Sequence, residues 1–74
     1  MIERVPIDTA SQLQFLDNTQ VLAGYLAGLQ YSPLPPLDCS YSYWHGWRNG
    51  QVDGGWMQKD EAQAALAHDV LSQA

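Results

Sequence analysis

Positive charge is nearly missing from this chain. Of 74 residues only Arg4, Arg48 and Lys59 are basic, against eight acidic ones, for a net charge of −5. Nucleic-acid binders neutralise several phosphates with clustered lysine and arginine, and three scattered cations cannot build such a cluster. Direct binding to DNA or RNA is therefore disfavoured. Cysteine is equally scarce: Cys39 stands alone, which excludes an internal disulfide and fits a reducing compartment. The candidate metal ligands Cys39, His45 and His68 show no paired spacing, so no metal or cofactor is expected. Long apolar runs are absent too. VLAGYLAGL (residues 21 to 29) is far too short to span a bilayer, and the start, MIERVPID, has no apolar stretch of the signal-peptide kind. The expectation is a soluble cytoplasmic protein with no membrane partner.

Glycine and aromatic rings are what the chain does have. SYSYWHGWRNGQVDGGW (residues 40 to 56) holds two tyrosines, three tryptophans and four glycines. So short a chain buries a modest fraction of its surface and needs every large ring it can cover. A single all-α domain, 1–74, is predicted. Residues 1–8 are extended, because Pro6 keeps Val5 out of the helical region. A first helix over 9–30 follows from Val21, Leu22, Tyr25, Leu26 and Leu29 on one face, running through the polar DNT at 17–19. Residues 31–38 form a proline-rich connector, its Pro33-to-Pro36 PxxP pattern read as a stiff spacer. Asp38 caps a second helix over 39–51, with Gly54 and Gly55 as stop signals. Asp60 and Gln63 form a capping box for a third helix over 60–72. That helix's apolar stripe, Ala62, Leu66 and Val70, is narrow and suits the edge of the core or a homodimer.

Gly24 and Gly28 lie four apart on helix one, and Gly46 and Gly50 four apart on helix two. A mid-helix glycine costs about 1 kcal/mol relative to alanine, so the four imply a geometric purpose. Residues four apart share a face. An antiparallel pair of helices in close contact is the natural reading, with Tyr25, Tyr43 and Trp47 wedged around the crossing. Tyr41, Trp44 and Arg48 fall on another face of helix two. Aromatics beside an arginine are the composition of interface hot spots. With Trp56 they are the candidate partner contacts, and Asp53, Asp60 and Glu61 would steer a basic partner. No serine, cysteine or histidine spacing makes a nucleophile-base arrangement, so no catalytic residue is assigned and no enzyme is expected.

GYLAG (24 to 28) and WHGWRNG (44 to 50) resemble the ribosome modulation factor family of small helical proteins, which carries a Gly-Tyr-x-Ala-Gly element on one helix and Trp-x-Gly-Trp on the next. The resemblance rests on Gly24, Tyr25, Ala27, Gly28, Trp44, Gly46 and Trp47. It implies a packed helix pair, and ribosome association as one function. Ribosome-binding members are expected to be basic, whereas this chain is acidic, has a proline-rich connector and adds a C-terminal helix. The helix pair is carried over and the ribosome role is kept as the alternative. The leading expectation is a protein-docking module, a regulator or inhibitor of the kind phages and plasmids carry.

Overall fold

The structure, a computed structural model, describes residues 5–30, 35 and 38–72. Most of the proline-rich connector and the first four residues lie outside that set. Four helices and no strands make up the described residues: α1 (Ala10–Leu13), α2 (Asn18–Gly28), α3 (Tyr41–Asp53) and α4 (Glu61–Ser72). The all-α class predicted from the sequence is the class observed. The described residues group into two compact units, one within 1–15 and 59–74 and one within 16–58.

In the first unit, the amide of Ala10 at the start of α1 donates to Asp69 Oδ2 on α4 at 2.6 Å. The Gln12 side-chain oxygen accepts from the amides of Asp8 and Thr9 at 3.0 and 3.2 Å. The start of α4 is a reciprocal box. Gln63 N donates to Asp60 Oδ1 at 2.9 Å, and Asp60 N donates to Gln63 Oε1 at 3.0 Å. Ile7 and Leu66 are buried apolar residues of this unit, while Val70 and Leu71 at the far end of α4 are exposed.

The continuous helix expected over 9–30 is broken. The Asp17 side chain accepts from the amides of Thr19 and Gln20 at 2.9 and 3.3 Å, which caps α2 and ends any run from α1. Ser42 Oγ then takes the Asp17 amide at 2.8 Å. An aspartate that satisfies two orphan amides is more stable as a cap than as a mid-helix residue, where its side chain competes with the backbone. The second helix also starts later than expected, at Tyr41, because Ser40 Oγ and not Asp38 accepts the Tyr43 amide, at 3.1 Å. It runs on through Gly50 to Asp53, and Gly55 leaves it with a left-handed φ of 83°.

The second unit is the α2–α3 pair, and its direction corrects the antiparallel expectation. Gly24 lies against Tyr43 and Gly28 against Trp47, while Val21 lies against Gly46 and Tyr25 against Gly50. Positions rise together along both helices, so α2 and α3 run parallel. Glycine spacing reports which faces touch and is the same for either direction. The connector permits the parallel pairing: α2 is about 16 Å long, and the twelve residues from 29 to 40 are enough to span that length.

Candidate functional site

The crossing of α2 and α3 is a backbone-on-backbone contact. A Cβ on Gly24 would fall on the Tyr43 carbonyl, and one on Gly28 on that of Trp47. On the other helix, a Cβ on Gly46 would fall on the Val21 carbonyl and one on Gly50 on that of Tyr25. The next nearest atoms are also backbone: Trp47 N at 2.9 Å for Gly24 and Tyr25 N at 2.9 Å for Gly46. No rotamer change can make room there, so only glycine fits at these four positions.

Such proximity excludes large side chains from the seam and turns them outward. Leu22 and Leu26 on α2 are 57% and 54% exposed. Polar residues are buried instead: Ser42, His45, Arg48 and Gln51 on α3, with Trp47 as the only buried large apolar side chain among the described residues of this unit. The indole N–H of Trp47 meets no acceptor among the described residues. Gln51 has a clear task. Its Nε2 donates to the carbonyls of Gly28 at 2.5 Å and Gln30 at 3.1 Å. The Trp56 indole N–H donates to the Leu29 carbonyl between them, at 3.0 Å. Two residues beyond α2 in sequence thus satisfy the carbonyls that its C-terminus leaves open.

Tyr41, Trp44 and Arg48 do form a column along α3, on the side away from the glycines. The Tyr41 and Trp44 rings are 5.6 Å apart and tilted by 53°, and the Arg48 guanidinium lies 5.0 Å from the Trp44 ring centre. The expected role of Arg48 as a partner contact needs correcting. Only 7% of it is exposed, and its guanidinium lies over the Trp44 indole. Tyr41 is exposed and Trp44 half-buried. His45, beside this column, is buried with Nε2 3.2 Å from Asn49 Nδ2. Burial, with the Arg48 charge added, holds its imidazole below the ordinary histidine range.

Trp56 is 51% exposed in the turn after α3, and Asp53 and Tyr25 meet just before it. The Tyr25 hydroxyl donates to Asp53 Oδ2 at 2.6 Å, and that bond to a carboxylate raises the tyrosine's pKa above its ordinary value. Asp60 and Glu61 belong to the other unit, where Asp60 is occupied in capping α4 and Glu61 is exposed in its first turn. Five of the seven expected contact residues thus belong to unit two, and Asp60 and Glu61 to the other. Unit two holds an aromatic column on α3 and a separate cluster at its C-terminal end. The leucines of α2, which helical period places on one face, are exposed residues that sequence reasoning did not name as surface. Glycine on the opposite face was the available signal.

No protein-family model, curated protein or solved structure matches this chain. Among the described residues no three of histidine, cysteine, aspartate or glutamate gather as a metal site, and no helix is long and apolar enough to cross a membrane.

Proposed function

We propose that the chain is a small non-enzymatic protein-docking module, whose second unit presents apolar side chains on a rigid glycine-locked helix pair. One observation carries this reading: in this unit Leu22, Leu26 and Trp56 are exposed, while Ser42, His45, Arg48 and Gln51 are buried alongside Trp47. Scattered exposed leucines are common, but a short unit that buries its polar residues while exposing Leu22, Leu26, Tyr41 and Trp56 has surface left for a partner to cover. Binding would be a rigid-body event, because the backbone contact between α2 and α3 leaves no slack. A regulator or inhibitor acting by occlusion needs no more than this.

The test is site-specific photo-crosslinking, with the photoreactive residue placed at Leu26 and, separately, at the exposed Glu61 of the other unit. A discrete protein adduct from position 26, competed by unlabelled chain and reduced by Leu22→Gln, is the expected result. Adducts to ribosomal RNA instead would establish the ribosome-associated reading that the GYLAG and WHGWRNG elements suggest. Equal, unsaturable labelling from both positions would remove the docking reading.

A further inference from the structure

The glycines and the leucines of α2 lie on opposite sides of the helix. Gly24 and Gly28 meet the α3 backbone, and the backbone of Val21 and Tyr25 meets Gly46 and Gly50. Leu22 and Leu26 are more than half exposed, Leu29 is 36% exposed, and Thr19, Ala23 and Gln30 are exposed beside them. Thr19, Leu22, Leu26 and Leu29 are spaced three, four and three residues apart. That is the a/d register of a coiled-coil seam, with Gly24 and Gly28 at the outer f and c positions. Because only glycine fits against α3, the helix cannot roll to cover its leucines.

This helix carries no charge. Residues 18–37 contain no aspartate, glutamate, lysine, arginine or histidine, the longest such run in a chain of net charge −5. Asp17, just before it, is occupied in capping the first turn, and Asp53 holds the hydroxyl of Tyr25, whose backbone lies against α3. A coiled coil chooses its partner through charges at e and g, the positions flanking the seam. Here those are Asn18, Ala23, Tyr25 and Gln30, all uncharged. A basic partner would find no carboxylate on α2 to pair with. Helices that lie on membranes carry lysine and arginine on their polar face, and α2 has neither. A second copy of the chain fits better. It is equally acidic, so two copies are best brought together where neither contributes a charge. A two-fold contact also sets a surface against itself. Threonine, asparagine and glutamine each hold a donor and an acceptor and can pair with their own kind, which two carboxylates cannot.

We infer that the leucine stripe of α2 is the interface of a homodimer. Leu22, Leu26 and Leu29 of one copy pack against the same three of the other, with Thr19, Ala23 and Gln30 at the margin. This rests on the docking reading and names the partner at that surface. A helix about 16 Å long offers less than a standard interface, so the dimer exchanges with monomer and forms as concentration rises.

The test is sedimentation velocity of the purified chain between about 10 μM and about 1 mM. The mass should rise from 8.2 kDa toward twice that value. Added salt should leave the dimer unchanged or strengthen it, since it screens the repulsion of two acidic copies. Leu26→Gln should raise the dissociation constant by about tenfold or more, with helix content by circular dichroism unaltered because the side chain is exposed. Leu22→Gln should act in the same direction and keeps the test alive if Leu26→Gln disturbs the fold. Leu71→Gln, at a 74% exposed leucine of α4, should leave the dimer intact and so separates the stripe from general adhesion. A chain that stays monomeric, a dimer that weakens as salt rises, or one indifferent to both α2 variants would overturn the inference. Loss of the dimer in Leu71→Gln would also overturn it, by moving the interface to α4. A monomeric chain that still yields a discrete adduct with a different protein from position 26 removes the dimer and leaves the docking reading standing, so the two ideas fail separately.

Discussion

The carbonyl oxygen of Val21 on α2 occupies the place where a Cβ of residue 46 on α3 would lie, so Gly46 is the only side chain that lets the two backbones meet. Gly24 stands in the same relation to Tyr43 from the other direction. Gly46→Ala must therefore push the helices apart along their whole contact, because backbone cannot turn aside as a side chain can. The expected cost is about 3 kcal/mol or more, the upper end for overpacking, which a small domain survives poorly. Gly55→Ala is the control. Nothing lies within 4 Å of its Cβ position, and only the left-handed φ of 83° is strained, a cost of about 1 kcal/mol. Denaturant unfolding followed by circular dichroism separates the two.

Trp47 sets ring burial against an unmet donor. It is 5% exposed, and its indole N–H has no acceptor among the described residues. Burying the ring contributes about 3 kcal/mol, while a buried unmet donor costs about 1–3 kcal/mol. Trp47→Phe keeps most of the apolar contact and removes the donor, so its stability should fall within about 1 kcal/mol of the parent. Trp47→Ala should cost about 3–5 kcal/mol. Equal losses in both variants, measured by thermal unfolding, would mean that the N–H has a partner after all.

His45 makes the helix pair sensitive to acid. Its folded pKa is lowered, by burial first and by the Arg48 charge second. The unfolded chain therefore takes up a proton at a higher pH than the folded one. Above the ordinary value of 6.5 the two states are alike at this residue. As pH falls below it the unfolded state gains the proton first and stability declines, levelling off once the folded imidazole is also protonated. Comparing unfolding at about pH 5 and about pH 8 in the parent and in His45→Gln isolates this contribution. The variant should lose part of the pH dependence, and an unchanged slope would place the effect on the carboxylates.

Gln51 and Trp56 act as a cap for α2 that is supplied from the other helix. Gln51→Met removes the donor to the Gly28 and Gln30 carbonyls and leaves them buried or half-met, at an expected cost of about 1–3 kcal/mol. Trp56→Phe loses one bond to an exposed carbonyl and should cost about 1 kcal/mol. Amide exchange gives the sharper readout. Both variants should speed exchange at Leu29 and Gln30, whose amides bond to carbonyls in the last turn of α2, before any change at the start of that helix.

Local chemistry accounts for what could be read in advance. The Asp60–Gln63 box needs only residues three apart, and the stop after α3 needs only Gly54 and Gly55, so both are legible in sequence. The faces of α3 follow from helical period alone, which places Gly46, Gly50, Tyr43 and Trp47 together and Tyr41, Trp44 and Arg48 elsewhere. Asp17 was harder, since an aspartate followed by Asn-Thr suits both an exposed helical turn and a cap. Only the hydrogen bonds to Thr19, Gln20 and Ser42 choose between them.

By itself the sequence determined that this chain is all-helical, that two of its helices meet through glycine, and that it is acidic, with three basic residues against eight acidic ones. Those follow from period, spacing and charge, which are properties of residues near one another in the chain. Tertiary structure decided the direction of the pair, the burial of Arg48 and the exposure of Leu22 and Leu26 on α2. Each of these depends on how a distant segment returns and what it covers. A glycine seam brings backbones so close that large side chains must leave it, and where they go is settled by packing.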